Sequence, residues 1–429
     1  MITLSKLLTK LKNSKLFKNT STYLLFNVLE RSVPFLILPI LTRELTPYDI
    51  GIYSTFQAIV VFFMPIIGLG SDSSILRNYY GTKPNIFKQY FFNGILVFVI
   101  SSIFVFIIFN YFKIELSIFL DFPAKAVYLT LFYCFLQYLN NLHLNMFQVK
   151  KKAMSFGFNK LFVTLTKNGF SLIFVFGLLF RWEGLLFGNL ISLIIFGTIA
   201  LISFYRGTYL SGSCNLHYIK RNLQIGTPLV LHGLGSWSNS LAVRLILNSI
   251  LGAHATGNFS IGTTFGLIIS ILQDSFNKAY VPFLFEKLEA NIKKDSKKIV
   301  LFTYFYHISF LIFAFIIGFI GTNYLEFIFG NKFIQAKELI YYSTFAYAFN
   351  GMYKMHVNFI FFTKKTSYIS IITIISGIVN VLLSFFLIHQ NGAVGAVQSL
   401  LLCNFLSFIL AWLIGNKIIP MPWLLRGNK

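Results

Sequence analysis

The sequence predicts an all-α polytopic membrane protein, with twelve transmembrane helices in two six-helix lobes and both termini in the cytoplasm. Three observations predict it. Hydrophobic residues make up 56% of the 429 and charged residues only 11%, where a soluble domain carries about 25% charged residues; mean hydropathy is +0.71. Apolar stretches long enough to cross a bilayer recur along the whole chain. Basic residues collect in alternate short loops between them. This composition excludes a large soluble helical protein. A formal net charge of +23 can signal a nucleic-acid partner, but here the charge lies in loops between apolar runs. No nucleic-acid partner is expected.

The spans fall near 21–41, 53–70, 90–111, 126–147, 161–180, 184–204, 224–250, 258–278, 301–321, 338–362, 367–389 and 393–415. The first 19 residues are basic and lack a short apolar region with a small-residue cleavage site, so the first helix is expected to be retained. Starting inside and alternating, only Arg43, Lys113, Lys125, Arg181, Lys332 and Lys337 of the 36 Lys and Arg fall in outside loops. Most of the others line the inside loops, which sets the orientation. The expected organisation is a basic cytoplasmic N-terminus (1–19), an N-terminal lobe (20–210), a cytoplasmic linker (211–223), a C-terminal lobe (224–415) and a cytoplasmic tail (416–429). Residues 279–300 read as a cytoplasmic loop at the headgroup boundary, apolar at its start and lysine-rich at its end. Cys134, Cys214 and Cys403 have no spacing that suggests a disulfide framework or a metal site.

The two halves look related. Gly51-Ile52-Tyr53-Ser54 after the first helix resembles Gly257-Asn258-Phe259-Ser260 after the seventh, 206 residues later. Lys151-Lys152 before the fifth helix matches Lys364-Lys365 before the eleventh, and Gly184 matches Gly395, at nearly the same interval. A duplicated unit of six helices gives parallel repeats, for which a substrate site near the midplane between the halves is expected.

Charges within the spans are the sharpest functional signal. A charge at membrane depth costs about 3 kcal/mol on insertion scales and usually faces a bundle interior or a wet cavity. Arg31, Lys167, Arg244 and Lys354 lie within spans. Arg31 and Arg244, on equivalent helices, are placed to face a central cavity. With few acids to balance them, these cations point to an anionic ligand, and guanidinium forks suit phosphate. Glu30 beside Arg31, and Asp274 one turn from Lys278, are the nearby acids and are themselves candidates for sugar contact or ion coupling. Asn27, Gln137, Asn141, His232 and Asn239 supply amides and an imidazole for sugar hydroxyls or for ion coupling, although interhelical hydrogen bonding is the ordinary fate of such residues. His356 is a further candidate proton relay. No P-loop, dinucleotide fingerprint or zinc-spaced cluster is present, so no metal, cofactor or catalytic residue is expected.

The opening NTSTYLLFNVLERSVPFLILPILTRELTPYDIGIYSTFQ resembles the start of the polysaccharide-biosynthesis flippases, which handle O-antigen or capsule repeat units. These belong to the multidrug/oligosaccharidyl-lipid/polysaccharide (MOP) exporter superfamily, whose fold is MATE-like. The resemblance rests on Asn19-Thr20, Pro34, Pro39 and Leu45-Thr46-Pro47 with Gly51-Ile52-Tyr53. It continues through Gly68-Leu69-Gly70 with Arg77, Gly226-Thr227-Pro228, Pro282, Lys364-Lys365-Thr366 and Gly392 to Ala396. Family members often carry Asp-Arg in the seventh helix, where this chain has Val243-Arg244.

The resemblance implies a non-enzymatic flippase of the bacterial inner membrane. Its substrate would be an undecaprenyl-pyrophosphate-linked oligosaccharide, moved by alternating access with H+ or Na+ as candidate coupling ions. The cations would then hold the pyrophosphate. Implied partners are the lipid-linked oligosaccharide, membrane lipids, and the polymerase and other membrane proteins of glycan assembly. The alternatives are a multidrug or organic-cation extruder, an O-antigen polymerase or ligase, and a non-catalytic scaffold. A cation extruder needs buried carboxylates, a polymerase or ligase needs a large outside loop, and a scaffold leaves the interior cations unexplained.

Overall fold

The computed structural model describes the backbone of residues 15–424, with side chains described except at 15–21, 24, 232, 236, 239, 240 and 290–295. The described chain is helical apart from short connections. The helices are α1 (Lys15–Glu44), α2 (Pro47–Gly68), α3 (Ser71–Asn78), α4 (Pro84–Phe119), α5 (Ala124–Val149), α6 (Ala153–Leu172), α7 (Trp182–Arg206), α8 (Leu216–Ser240), α9 (Ala242–Phe329), α10 (Lys337–Phe362) and α11 (Ser367–Ile418). Among the described residues, seven helices or helix segments are long and apolar enough to cross a membrane by length and composition.

Two of these helices are folded hairpins. Phe276 and Tyr306 are both in α9, and 30 residues of straight helix would separate them by about 45 Å. Their rings are 4.9 Å apart, so the chain doubles back between the segments Ala242–Glu289 and Ser296–Phe329. The stretch expected as an interfacial loop, 279–300, is therefore helical on both sides of this turn. In α11 the reversal is at Gly392, with φ +61 and ψ −140. Beyond it, Ser407 returns to bond Ser376 at 2.8 Å. Gly252, φ +78, interrupts α9 once more near its start. Leaving out the short α3, and counting α8 with the stretch of α9 before Gly252 as one, the described chain makes twelve helical passages. The expected linker 211–223 is helical from Leu216.

Local sequence explains the elements. α1 stays helical through Pro34 and Pro39, and Thr42 Oγ1 donates to the Pro39 carbonyl at 2.9 Å. The Leu45-Thr46-Pro47 turn is a capping box. The Thr46 amide donates to Asp49 Oδ2 at 2.9 Å, and the Asp49 amide to Thr46 Oγ1 at 3.3 Å, with Pro47 at the first helical position. α4 separates its faces by helical spacing. Phe91, Gly94 and Phe98 are buried, while Ile100, Phe104, Ile107 and Tyr111 form an exposed apolar stripe. Such a stripe on this scale belongs against lipid.

The chain forms two compact units. Unit 1 comprises Met1–Leu45 and Ile59–Leu234; unit 2 comprises Thr46–Ala58 and Gly235–Lys429. Within unit 2 the first residues of α2 cross the segment after Gly252 at backbone contact. A Cβ on Gly51 would fall 1.7 Å from the Ala253 carbonyl oxygen, and one on Gly257 would fall 1.8 Å from that of Pro47. Ser260 Oγ donates to Ser54 Oγ at 2.6 Å across the same crossing, 206 residues apart. Adding 206 to Pro47, Gly51 and Ser54 gives Ala253, Gly257 and Ser260. The two segments therefore touch by the same surface, as isologous contacts do, and the sequence repeat is a repeat in space.

Candidate functional site

In unit 1, α6 gathers polar groups from α1 and α5. Lys160 Nζ donates to Asn27 Oδ1 at 2.8 Å and lies 3.2 Å from Glu30 Oε2. Asn27 and Glu30 are three apart on α1 and so share a face. Two turns along α6, Lys167 Nζ donates to Tyr133 Oη at 2.8 Å and to Gln137 Oε1 at 2.9 Å. Gln137 Nε2 passes the chain on to Asn141 Oδ1 at 2.7 Å. Tyr133, Gln137 and Asn141 recur every four residues and form one stripe on α5. Every member of this row is half-buried. Ammonium, amide and hydroxyl groups set side by side offer both donors and acceptors, which is the complement of a sugar's ring hydroxyls.

Five of the residues singled out from sequence, Asn27, Glu30, Gln137, Asn141 and Lys167, thus meet in one unit. Arg31, next to Glu30, is exposed. Lys160 was hidden from sequence reasoning because it follows Lys150-Lys151-Lys152 closely and reads with that loop. The helix starts at Ala153, which puts Lys160 two turns inside it.

Unit 2 holds the others. Arg244 is half-buried near the start of α9, its Nε is buried, and no described residue accepts a hydrogen bond from it. Tyr347 of α10 is its electrostatic neighbour. Further along, Lys354 Nζ meets Asp274 Oδ1 at 2.7 Å. One turn on, Asn358 Nδ2 donates to Asn277 Oδ1 at 2.7 Å. Lys354 therefore has its charge met by a carboxylate on a neighbouring passage, an ion pair that local spacing, which offered Lys278, does not reveal. His356 is buried with its ring 5.3 Å from that of His307 and 5.1 Å from Trp423. The side chains of His232 and Asn239 lie outside the described residues. Among the described residues no group of three His, Cys, Asp or Glu could hold a metal ion.

Outside the spans, Asp72 of α3 is the perturbed acid. Burial pushes its carboxyl above the usual range, and hydrogen bonds from the Ser73 amide and its own amide offset part of that.

The family described as "polysaccharide biosynthesis protein" matches residues 16–288. The chain belongs to this family. Among curated proteins it is 25% identical over 380 residues to the Lsg locus putative protein 1 of Haemophilus influenzae, covering 86% of this chain and 90% of that one. An uncharacterized membrane protein of the same organism is 25% identical over 378 residues, covering 84% and 87%. Among solved structures, the lipid II flippase MurJ in an inward closed conformation superposes with TM-score 0.74 at 14% identity, covering 91% of this chain and 87% of that one. An inward-facing multidrug resistance MATE family transporter of the MOP superfamily gives 0.62 at 17% identity, covering 91% and 98%. The family member described here is thus a multi-pass membrane protein with the fold shared by MurJ and the MATE transporters.

Proposed function

We propose that the chain translocates a polyprenyl-pyrophosphate-linked oligosaccharide, an O-antigen or capsule repeat unit, across the bacterial inner membrane by alternating access, with both termini in the cytoplasm. The observation that carries this reading is Arg244, a guanidinium within a membrane passage whose buried Nε has no partner among the described residues. A buried donor left unmade costs about 1–3 kcal/mol, and a phosphate oxygen arriving with the substrate recovers that cost through a charge-assisted bond. The half-buried row in unit 1 supports the sugar-binding part. Family membership and the likeness to a lipid II flippase support the substrate class.

The same residues disfavour an organic-cation extruder. Such a substrate wants an available carboxylate, and Glu30 and Asp274 are each engaged by a lysine. They also disfavour a polymerase or ligase, because the α4–α5 and α9–α10 connections leave no large catalytic loop. The function proposed is therefore not enzymatic. H+ or Na+ is the proposed coupling ion. The polymerase and other glycan-assembly membrane proteins are the proposed partners.

The test is Arg244→Ala in the native host, read as surface glycan and as protein level in the membrane. Glycan display should be lost while the protein level holds, with Arg244→Lys restoring only part of it. Normal display by a fully expressed Arg244→Ala variant would overturn the proposal.

A further inference from the structure

One end of unit 1 carries many cations and a single acid. Three segments are bound together there. Tyr80 Oη, from the turn after α3, donates to the Val149 carbonyl at 2.6 Å. The α7–α8 connection is tied to α4 by the Ser213 amide, which donates to Gln89 Oε1 at 2.9 Å, and by the Asn215 amide, which donates to Asn93 Oδ1 at 2.8 Å. Lys88 Nζ bonds Thr208 Oγ1. The face is therefore fixed by hydrogen bonds between helices distant in sequence.

The charges on it are, Asp72 apart, of one sign. From α3 and the start of α4 come Arg77 and Lys83, both exposed, and the half-buried Lys88. The α5–α6 turn adds Lys150, Lys151 and Lys152, all exposed. The ends of α7 and α8 add the exposed Arg206, Lys220 and Arg221. In 71–93, 148–160 and 204–224 the sole acid is Asp72, half-buried on α3. Some of the cations rest on rings instead. Lys150 Nζ lies 5.2 Å from the Tyr209 ring centre, Lys151 Nζ 6.0 Å from that of Tyr80, and the Arg221 guanidinium 6.0 Å from that of Tyr90. Exposed Tyr80, Ile86, Tyr205 and Leu216 alternate with them. Aromatic and aliphatic groups beside long basic side chains at a helix end mark the depth where acyl chains meet headgroups.

We propose that this face is a binding site for anionic phospholipids, whose phosphates the α5–α6 lysines and the arginines at the ends of α7 and α8 hold at the membrane boundary. Like charges packed this densely repel one another, and a phosphate layer within reach relieves that repulsion. Basic clusters immediately beside transmembrane helices recruit anionic lipid, each cation counting for about fivefold in affinity. The site rests on unit 1 alone and does not depend on what the protein transports.

The purified full chain in nanodiscs provides the test. Cys134 and Cys403 are buried and Cys214 is exposed on this face, so an environment-sensitive fluorophore on Cys214 reports occupancy. Titrating phosphatidylglycerol into phosphatidylcholine discs should shift the emission, and raising ionic strength several-fold should weaken the shift. Delipidated protein examined by native mass spectrometry should retain phosphatidylglycerol over phosphatidylcholine. K150Q/K151Q/K152Q should lower that retention by about tenfold or more. K150R/K151R/K152R should keep it, which separates lost charge from lost folding. Three results would overturn the proposal. The two lipids could be retained equally, the glutamine variant could be unchanged, or polyprenyl pyrophosphate could shift the probe where phosphatidylglycerol does not. The last result would make the face a substrate entrance.

Discussion

Arg31 and Arg244 stand on corresponding helices of the two repeats, yet their surroundings differ. Arg31 is exposed on α1, and the glutamate beside it is held by Lys160 of α6. Arg244 is half-buried on α9, with Val243 before it and no acceptor for its Nε among the described residues. The duplicated helix runs unbroken in the first copy and is interrupted at Leu241 in the second. The neighbours then decide how far an inherited cation is buried. The same contrast runs through the lysines. Each unit ties a lysine inside a passage to a carboxylate on another helix, Lys160 to Glu30 and Lys354 to Asp274, so these two pairs are structural crosslinks first.

The largest effect that separates the two arginines is on export. Arg244→Ala should reduce surface glycan by more than tenfold, the equivalent of about 2 kcal/mol or more for truncating one partner of a buried charged contact. Arg31→Ala should reduce it by less. Equal losses in a quantitative surface-glycan assay would erase the distinction. Next come the crosslinks. Asp274→Ala should lower stability in detergent by about 1–3 kcal/mol, because Lys354 is left half-buried without its carboxylate. D274A/K354A should recover part of the loss, and a thermal-shift cycle over the four proteins measures the coupling. Glu30→Gln should behave similarly with Lys160 but by less, since Asn27 also holds that ammonium.

The smallest effect concerns Asp72. A carboxyl raised by burial favours its protonated form in the folded state. Its contribution to stability is therefore fully present below the unfolded carboxylate range and fades as pH rises through the folded value. Asp72→Asn should raise the melting temperature slightly at neutral pH and leave it unchanged in acid. A gain of the same size at both pH values would contradict the assignment.

The order of helices was legible because span length and loop charge are local properties of a chain in a bilayer. The Gly51 and Gly257 contact was legible in part, since a repeated glycine is visible in sequence but its partner is not. The ion pairs were not. Spacing along one helix offers Lys278 to Asp274, whereas Lys354 comes from a passage 80 residues away. Lys160 was missed for a related reason: a helix start placed at 161 instead of Ala153 moves an interior ammonium into a loop. The turn in α9 was expected as loop. Its helical propensity carries the backbone almost to the reversal, and Phe276 against Tyr306 shows where the chain has folded back.

The crossing at Gly51 and Gly257 also bears on how such a gene can change. Each glycine is confined by backbone that belongs to the other copy, so neither half can accept a side chain there on its own account. Lipid-facing positions in the two halves are free to drift apart one substitution at a time. At this crossing the ancestral duplicate survives because each half is the other's mould.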